Sequence, residues 1–175
     1  MQTKYKLIIG FSASVVLLGS AILIARKRYD LVFDLKTNRL LLGLQPEFRK
    51  KAIELLKQSR KLGIELRLIS GVRGCDEQNR LYAQGRTAAG NIVTNAKCGM
   101  SAHQYGIAAD FVEFKEGKPQ WNSPNWETIG RIGESLDLEW GGRWKFTDKP
   151  HFQFLQGKSI SNRYQHYQQT GKLIA

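Results

Sequence analysis

Hydrophobic and polar positions divide the chain into one long apolar segment and a series of shorter amphipathic ones. Residues 7–25 carry no charged side chain, and lysine and arginine residues flank them on both sides. Nineteen residues at about 1.5 Å each match a hydrocarbon core of about 30 Å. The pattern predicts an N-terminal transmembrane helix within residues 1–26, followed by a juxtamembrane connector over residues 27–44. A cleavable signal peptide is the alternative, although no clear Ala-x-Ala cleavage site follows the apolar segment.

Beyond residue 45, helical and alternating patterns follow one another, which predicts a domain of mixed α and β structure. Residues 45–157 form this domain, and residues 158–175 form a polar, partly helical C-terminal tail. The strand that begins at residue 151 could pair beside the one that ends at residue 114. The periodicity is helical over 47–62, 76–84 and 124–136, and it indicates strands over 64–69, 106–114 and 151–154.

The formal net charge of +12 is large for a chain of this length. Scattered solvated lysines explain it, as does attraction to anionic lipid or cell-wall polymer. Nucleic-acid binding is a further interpretation of such a charge, but no helix-turn-helix, zinc-finger or aromatic-basic motif accompanies it. We therefore expect no nucleic-acid partner.

The chain contains two cysteines, Cys75 and Cys98. Outside the cytoplasm they could form a disulfide, and two free buried thiols are the alternative. They do not form a Cys-x-x-Cys pair, so we do not expect a thiolate metal site.

Three residues in the C-terminal half could bind one metal ion: His103, Asp110 and His151. Imidazole nitrogens with a carboxylate are a common ligand set for catalytic zinc, which activates water for attack on a carbonyl. Asp148, three residues before His151, would be a second carboxylate that is free to accept a proton. A histidine and an aspartate at such a spacing also arise by chance, so the residues alone leave an ordinary structural role open.

These residues belong to several motifs that occur in a fixed order along the chain. Together the motifs resemble the zinc D-alanyl-D-alanine carboxypeptidase (VanY-like) family, and most closely the L-alanyl-D-glutamate endopeptidases of phage endolysins and bacterial cell-wall hydrolases. The resemblance covers roughly residues 45–155. It implies a Hedgehog/DD-peptidase-like α+β fold, in which a small antiparallel sheet carries a zinc site and helices pack around it. The motifs are Ser70-Gly-Val-Arg73, Glu77 to Thr87, Ser101-x-His103-x-x-Gly106-x-Ala108-x-Asp110, Trp140-Gly-Gly142 and Asp148-x-Pro150-His151-Phe-Gln153.

The resemblance also implies a role for each matched residue. Arg73 would bind a substrate carboxylate or stabilise negative charge, and Gln78 could either contact substrate or brace the neighbouring loop. The metal ligands would be His103, Asp110 and His151, the catalytic residues Asp148 and Arg73, and the substrate-binding residues Arg73, Ser101 and Gln78.

The chain departs from the family pattern at Arg143, where related enzymes often carry an acidic residue. The change could alter substrate preference. Trp140 and Trp144 lie on either side of it, and each could line a binding wall or pack in the core.

The function implied by the resemblance is zinc-dependent hydrolysis of a peptidoglycan stem peptide, with the L-alanyl-D-glutamate bond first. The alternatives are a D-alanyl-D-alanine carboxypeptidase and a catalytically silent cell-wall-binding domain. With residues 7–25 as a single span of the bacterial inner membrane, a peptidoglycan substrate requires the domain to face the periplasm or cell wall. Basic residues on both sides of residues 7–25 leave the orientation open on charge alone.

Overall fold

The computed structural model describes residues 33–172. The chain divides into two units, Met1–Asp34 and Leu35–Ala175, and every element below belongs to the second unit. Within the described residues, no helix has both the length and the apolar character needed to cross a membrane. The transmembrane helix predicted within residues 1–26 lies outside the described residues and stays a prediction.

Helices account for much of the described chain and follow the predicted helical segments closely. The three predicted helices correspond to the second, third and fourth observed ones, with ends that differ by a residue or two. The α-helices within residues 33–172 are α1 (Leu35–Gly43), α2 (Pro46–Lys61), α3 (Cys75–Ala83), α4 (Trp126–Ser135) and α5 (Ile160–Thr170).

A small antiparallel sheet lies among these helices, so the expected α+β architecture is confirmed. Its strands are β1 (Leu66–Ser70), β2 (Ala108–Lys115), β3 (Lys118–Pro119), β4 (Glu139–Trp140) and β5 (His151–Gln153). They pair in the order β1-β2-β5-β4, and β3 pairs with β2 beside this path. The predicted pairing of the strand that begins at residue 151 with the strand that ends at residue 114 is confirmed as the contact between β5 and β2.

Helix α2 forms where its sequence provides both a start signal and an apolar face. Pro46 occupies its first turn, and the Gln45 side chain accepts hydrogen bonds from the backbone amides of Glu47 and Phe48, at 2.9 and 3.1 Å. These bonds satisfy amides that have no partner inside the helix. The buried face consists of Phe48, Ala52, Leu55, Leu56 and Ser59.

The predicted connector over residues 27–44 ends in helix α1, which packs on the sheet. Leu41 and Leu44 are buried. The Thr37 hydroxyl is also buried and accepts a hydrogen bond from the Leu68 amide of β1, at 3.2 Å. Helix α1 belongs to the second unit, which begins at Leu35, and its apolar residues complete the core beside β1.

The core beside β5 is aromatic and closely packed. The Phe152 ring meets the Phe111 ring edge-on at 5.7 Å and stacks on Trp140 at 6.2 Å. Helix α4 lies directly on these rings, since a Cβ at Gly133 would come within 2.4 Å of Phe152. Successive side chains of a strand point to opposite faces. With Phe152 in the core, its neighbours His151 and Gln153 face the other side.

Cys75 and Cys98 form a disulfide, with their Cα atoms 4.8 Å apart. Of the two alternatives left open by the sequence, the structure therefore contains the bridge. It joins the first residue of α3 to the loop that precedes the short 3-10 helix Ala102–Tyr105.

Candidate metal centre

Two adjacent strands and one turn bring the three predicted ligands together. Asp110 of β2 and His151 of β5 are direct partners across the sheet. His103 lies in the 3-10 helix, which ends at Gly106 in the left-handed conformation, with φ at 68°. This conformation favours glycine, and it turns the chain back into β2 so that His103 comes to lie beside Asp110.

The three candidate donor atoms form a nearly equilateral triangle. His103 Nε2 and His151 Nδ1 each lie 3.3 Å from Asp110 Oδ1, and 3.3 Å from each other. Ligand atoms about 2.0–2.1 Å from a tetrahedral zinc ion would lie about 3.3 Å apart. The spacing and the donor set therefore both fit zinc.

Each histidine has its second ring nitrogen occupied by a hydrogen bond. His103 Nδ1 lies 2.8 Å from the carbonyl oxygen of Gly71, which can only accept. His151 Nε2 lies 3.1 Å from the side-chain oxygen of Gln153. These bonds hold the proton on the outer nitrogen and leave the inner nitrogen of each ring free as a metal donor.

The electrostatics of the site favour an ionised Asp110. Burial alone would raise the pKa of its carboxyl, but hydrogen bonds and charge from His103 and His151 outweigh burial and hold that pKa well below its ordinary value. Burial alone would lower the pKa of His151, and its hydrogen bond to Asp110 raises that pKa above its ordinary value instead. A carboxylate is thus in place at neutral pH, and metal uptake would release a proton from His151.

Arg73 and Asp148, the two predicted catalytic residues, line the same cleft as the three ligands. Arg73 follows the end of β1, and its Nη2 lies 3.6 Å from Asp110 Oδ2. Partial desolvation raises the pKa of Asp148, and the charge of Asp110 adds to this, while His151, His103 and Arg73 oppose it. A short turn fixes Asp148, whose backbone amide donates to the Gly141 carbonyl at 2.9 Å.

The remaining predicted residues differ in where the structure places them. Ser101 lines the cleft. Gln78 is fully buried and donates to the Ala96 carbonyl at 2.7 Å, which agrees with the loop-bracing alternative. Arg143 binds Glu127 and Glu134 at 2.7 and 2.8 Å. These two ion pairs hold Arg143 on helix α4, and its influence on substrate preference stays a prediction.

Aromatic side chains form part of the cleft wall. The cleft has a volume of about 530 Å³. Trp144 lines it and lies 5.0 Å from the His151 ring, whereas Trp140 is buried in the core. Trp121 also lines the cleft and is 57% exposed. Nothing in the sequence around residue 121 indicates that the Trp121 side chain would face the candidate site, so this residue was not predicted.

Comparisons with known proteins place this site in a family. A sequence model described as D-alanyl-D-alanine carboxypeptidase, of the M15 peptidases, matches residues 94–154. The chain is also 37% identical over 123 residues to the peptidoglycan L-alanyl-D-glutamate endopeptidase CwlK of Bacillus subtilis (strain 168). That alignment covers 64% of this chain and 74% of CwlK. The chain belongs to the M15 peptidase family. The resemblance inferred from the motifs is therefore confirmed.

Two solved structures share the fold of this M15 peptidase. The L-Ala D-Glu endopeptidase ChiX of Serratia marcescens aligns with a TM-score of 0.55 and 24% identity, over 70% of this chain and 88% of ChiX. The LD-carboxypeptidase LdcB aligns with a TM-score of 0.50 and 16% identity, over 70% of this chain and 64% of LdcB. At these identities the likeness concerns the fold alone.

Proposed function

We propose that this M15 peptidase is a zinc-dependent peptidoglycan hydrolase that cleaves a stem-peptide bond, with L-alanyl-D-glutamate as the first candidate. The observation that carries the proposal is the triangle of donor atoms from His103, Asp110 and His151, each 3.3 Å from the other two. This triangle lies in a cleft with a volume of about 530 Å³. The similarity to CwlK, which is named for that bond, supports the choice of substrate.

In the proposed mechanism, zinc held by His103, Asp110 and His151 would polarise the scissile carbonyl and activate water. Asp148 acts as the general base, accepting the proton of the attacking water and returning it to the leaving amine. Partial desolvation supports this role, because it raises the pKa of Asp148 towards the range where a general base works best at neutral pH.

Arg73 stabilises negative charge on the substrate in this proposal. Its side chain is only 13% exposed, and it lies 3.6 Å from Asp110. A guanidinium that is largely buried interacts strongly with a negatively charged substrate group, which is either the developing oxyanion or a carboxylate. The second of these also supports the alternative function, a carboxypeptidase that holds the free C-terminal carboxylate of its substrate.

We also propose that the domain works outside the cytoplasm, in a bacterial inner-membrane protein with a single N-terminal span. Peptidoglycan lies on that side of the membrane. The Cys75–Cys98 disulfide agrees with an oxidising compartment. The membrane contact through residues 1–26 stays a prediction.

The test is hydrolysis of purified peptidoglycan by the full chain, with and without a chelator, followed by mass spectrometry of the fragments. New L-alanine C-termini and D-glutamate N-termini that vanish with chelator and return with zinc are the expected result. Release of D-alanine would favour the carboxypeptidase instead. Zinc binding without any hydrolysis would make the silent wall-binding domain the better interpretation.

A pair of aspartate variants tests the general base. Asp148→Asn keeps the shape of the side chain but removes its basicity, so turnover should be lost while zinc stays bound. Asp137→Asn is the matched control, because Asp137 is 85% exposed and pairs with Lys51 away from the cleft. Undiminished turnover in Asp148→Asn would remove Asp148 from the mechanism.

A further inference from the structure

Behind His151, a chain of three hydrogen bonds leads away from the candidate metal centre. Gln153 Oε1 lies 3.1 Å from His151 Nε2, and Gln153 Nε2 donates to Glu139 Oε2 at 2.9 Å. The indole of Trp144 donates to Glu139 Oε1 at 2.7 Å. Glu139 and Gln153 are direct partners across β4 and β5, so backbone pairing holds the middle of this chain in place.

The direction of each bond follows from the chemistry of its two ends. An indole can only donate and a carboxylate can only accept. Glu139 therefore requires the amide nitrogen of Gln153 to point towards it, which leaves the amide oxygen facing His151. An amide oxygen can only accept, so the proton of the neutral His151 ring must lie on Nε2. The lone pair of Nδ1 then faces Asp110 and His103.

In His103, too, a hydrogen bond from one ring nitrogen leaves the other nitrogen free as a metal donor, but the acceptor of that bond is a backbone carbonyl. Its Nδ1 donates to the backbone carbonyl of Gly71, which is fixed by the fold. The tautomer of His151 depends instead on two side chains, and one of them, Glu139, is exposed at the edge of the sheet. The two histidines of the centre thus differ in how readily a substitution can disturb them.

We propose that Glu139 and Gln153 are positioning residues that set the tautomer of His151 and thereby its affinity for the metal, and that Glu139 also fixes the cleft wall through Trp144. This inference rests on the proposed metal site. The same carboxylate holds the Trp144 ring 5.0 Å from the His151 ring. Glu139 therefore couples the metal centre to the surface that substrate would contact.

The experiment measures zinc affinity of the full chain by competition with a chromophoric chelator, using Zn²⁺ alone as the probe. Gln153→Leu removes both hydrogen bonds of the amide at similar volume, and the expected result is a loss of about 10- to 100-fold in affinity. Glu139→Gln should also weaken binding, because its new amide group must place a donor against another donor. Glu116→Gln, in the exposed turn after β2, is the matched control and should leave the affinity unchanged.

A double exchange separates positioning from simple structural damage. In Glu139→Gln/Gln153→Glu, the carboxylate at position 153 accepts from His151, and the amide at position 139 donates to that carboxylate and accepts from Trp144. The bond between positions 139 and 153 reverses its direction, but His151 and Trp144 each still donate to an acceptor, so the exchange should recover most of the affinity that either single variant loses.

Nitrogen NMR of histidine-labelled, zinc-free protein, recorded at a pH high enough for the His151 ring to be neutral, provides a second readout that a purely structural role would not move. Under that condition the wild type should show His151 protonated at Nε2, and Gln153→Leu should show a mixture of the two tautomers. Unchanged zinc affinity in Gln153→Leu, or no recovery in the double exchange, would overturn the inference alone. Absence of zinc binding by the wild type would overturn the proposed metal centre, and the inference with it.

Discussion

Removing the Cys75–Cys98 disulfide should destabilise the domain by an amount that can be estimated from the chain. The bridge closes a loop with a sequence separation of 23. In the loop-entropy account, a cross-link of this span removes about 11 cal/mol/K from the unfolded state, or about 3 kcal/mol of stability at 25 °C. The loop it closes contains Val93 and Thr94, which line the cleft.

Urea unfolding of the double variant Cys75→Ser/Cys98→Ser, compared with the wild type, measures this loss. A slope of about 1.5 kcal/mol per molar urea would place the variant midpoint about 2 M lower. All samples should contain chelator, since bound metal would add stability of its own. A reductant should lower the urea midpoint of the wild type by the same amount. It should leave the midpoint of the double variant unchanged, so the variant serves as the control for other effects of the reductant.

Two results would refute the reasoning. Two titratable thiols in the unreduced, unfolded wild type would show that the bridge is absent. A shift in midpoint below about 0.5 M, with the bridge shown to be present, would mean that the unfolded chain is already constrained and the loop estimate does not apply.

Three further predictions concern other parts of the domain. Gly133→Ala should lower the free energy of unfolding, because a Cβ would lie 2.4 Å from an aromatic ring of the core; the overpacking cost of about 1–3 kcal/mol exceeds a helix-propensity gain of about 1 kcal/mol. A rise in stability would contradict this packing. Trp121→Ala should lower kcat/KM on peptidoglycan fragments. Phe146→Ala is the control and should leave kcat/KM unchanged, because it removes an 81% exposed ring that lies outside the cleft lining. Equal effects of the two substitutions would contradict a role for Trp121 in the cleft wall. The hydrogen bonds of Arg143, together with that of Arg131, hold the pKa of Glu127 at about 2. NMR titration of Arg143→Ala should find that pKa raised only part of the way towards its ordinary value of about 4.3, because Arg131 stays paired with Glu127. The stability from this ion pair should be complete above the ordinary pKa and disappear as the pH falls towards about 2, and a pH-independent difference between variant and wild type would contradict it.

Much of the site could be predicted from the sequence, because its residues lie in segments with clear local patterns. The apolar run after Gly106 predicts a strand that carries Asp110, and the run that starts at His151 predicts its neighbour. The motifs then identify His103, and the structure places the three donor atoms together.

The parts that escaped prediction depend on contacts between distant residues. β4 has two residues, too few for a periodic pattern, so nothing in the sequence indicates that Glu139 would face Gln153. The sequence left open whether Gln78 contacts substrate or braces a loop, and only the fold shows its side chain buried against the Ala96 carbonyl. Residues 35–43 have a narrow apolar face, which indicates a connector, and only the sheet gives helix α1 a partner.

The pairing of Asp110 with His151 has a consequence for how long the protein survives. A slip of one residue between β5 and β2 would turn His151 into the core and Phe152 into the cleft, so only the correctly paired chain can bind the metal. A ligand that binds only the native state stabilises it by mass action, by about 4 kcal/mol at a thousand times its Kd. Zinc scarcity would then do more than silence the proposed hydrolase. It would increase the fraction of opened molecules that proteases can degrade, so the supply of metal would set the number of enzyme molecules as well as their activity.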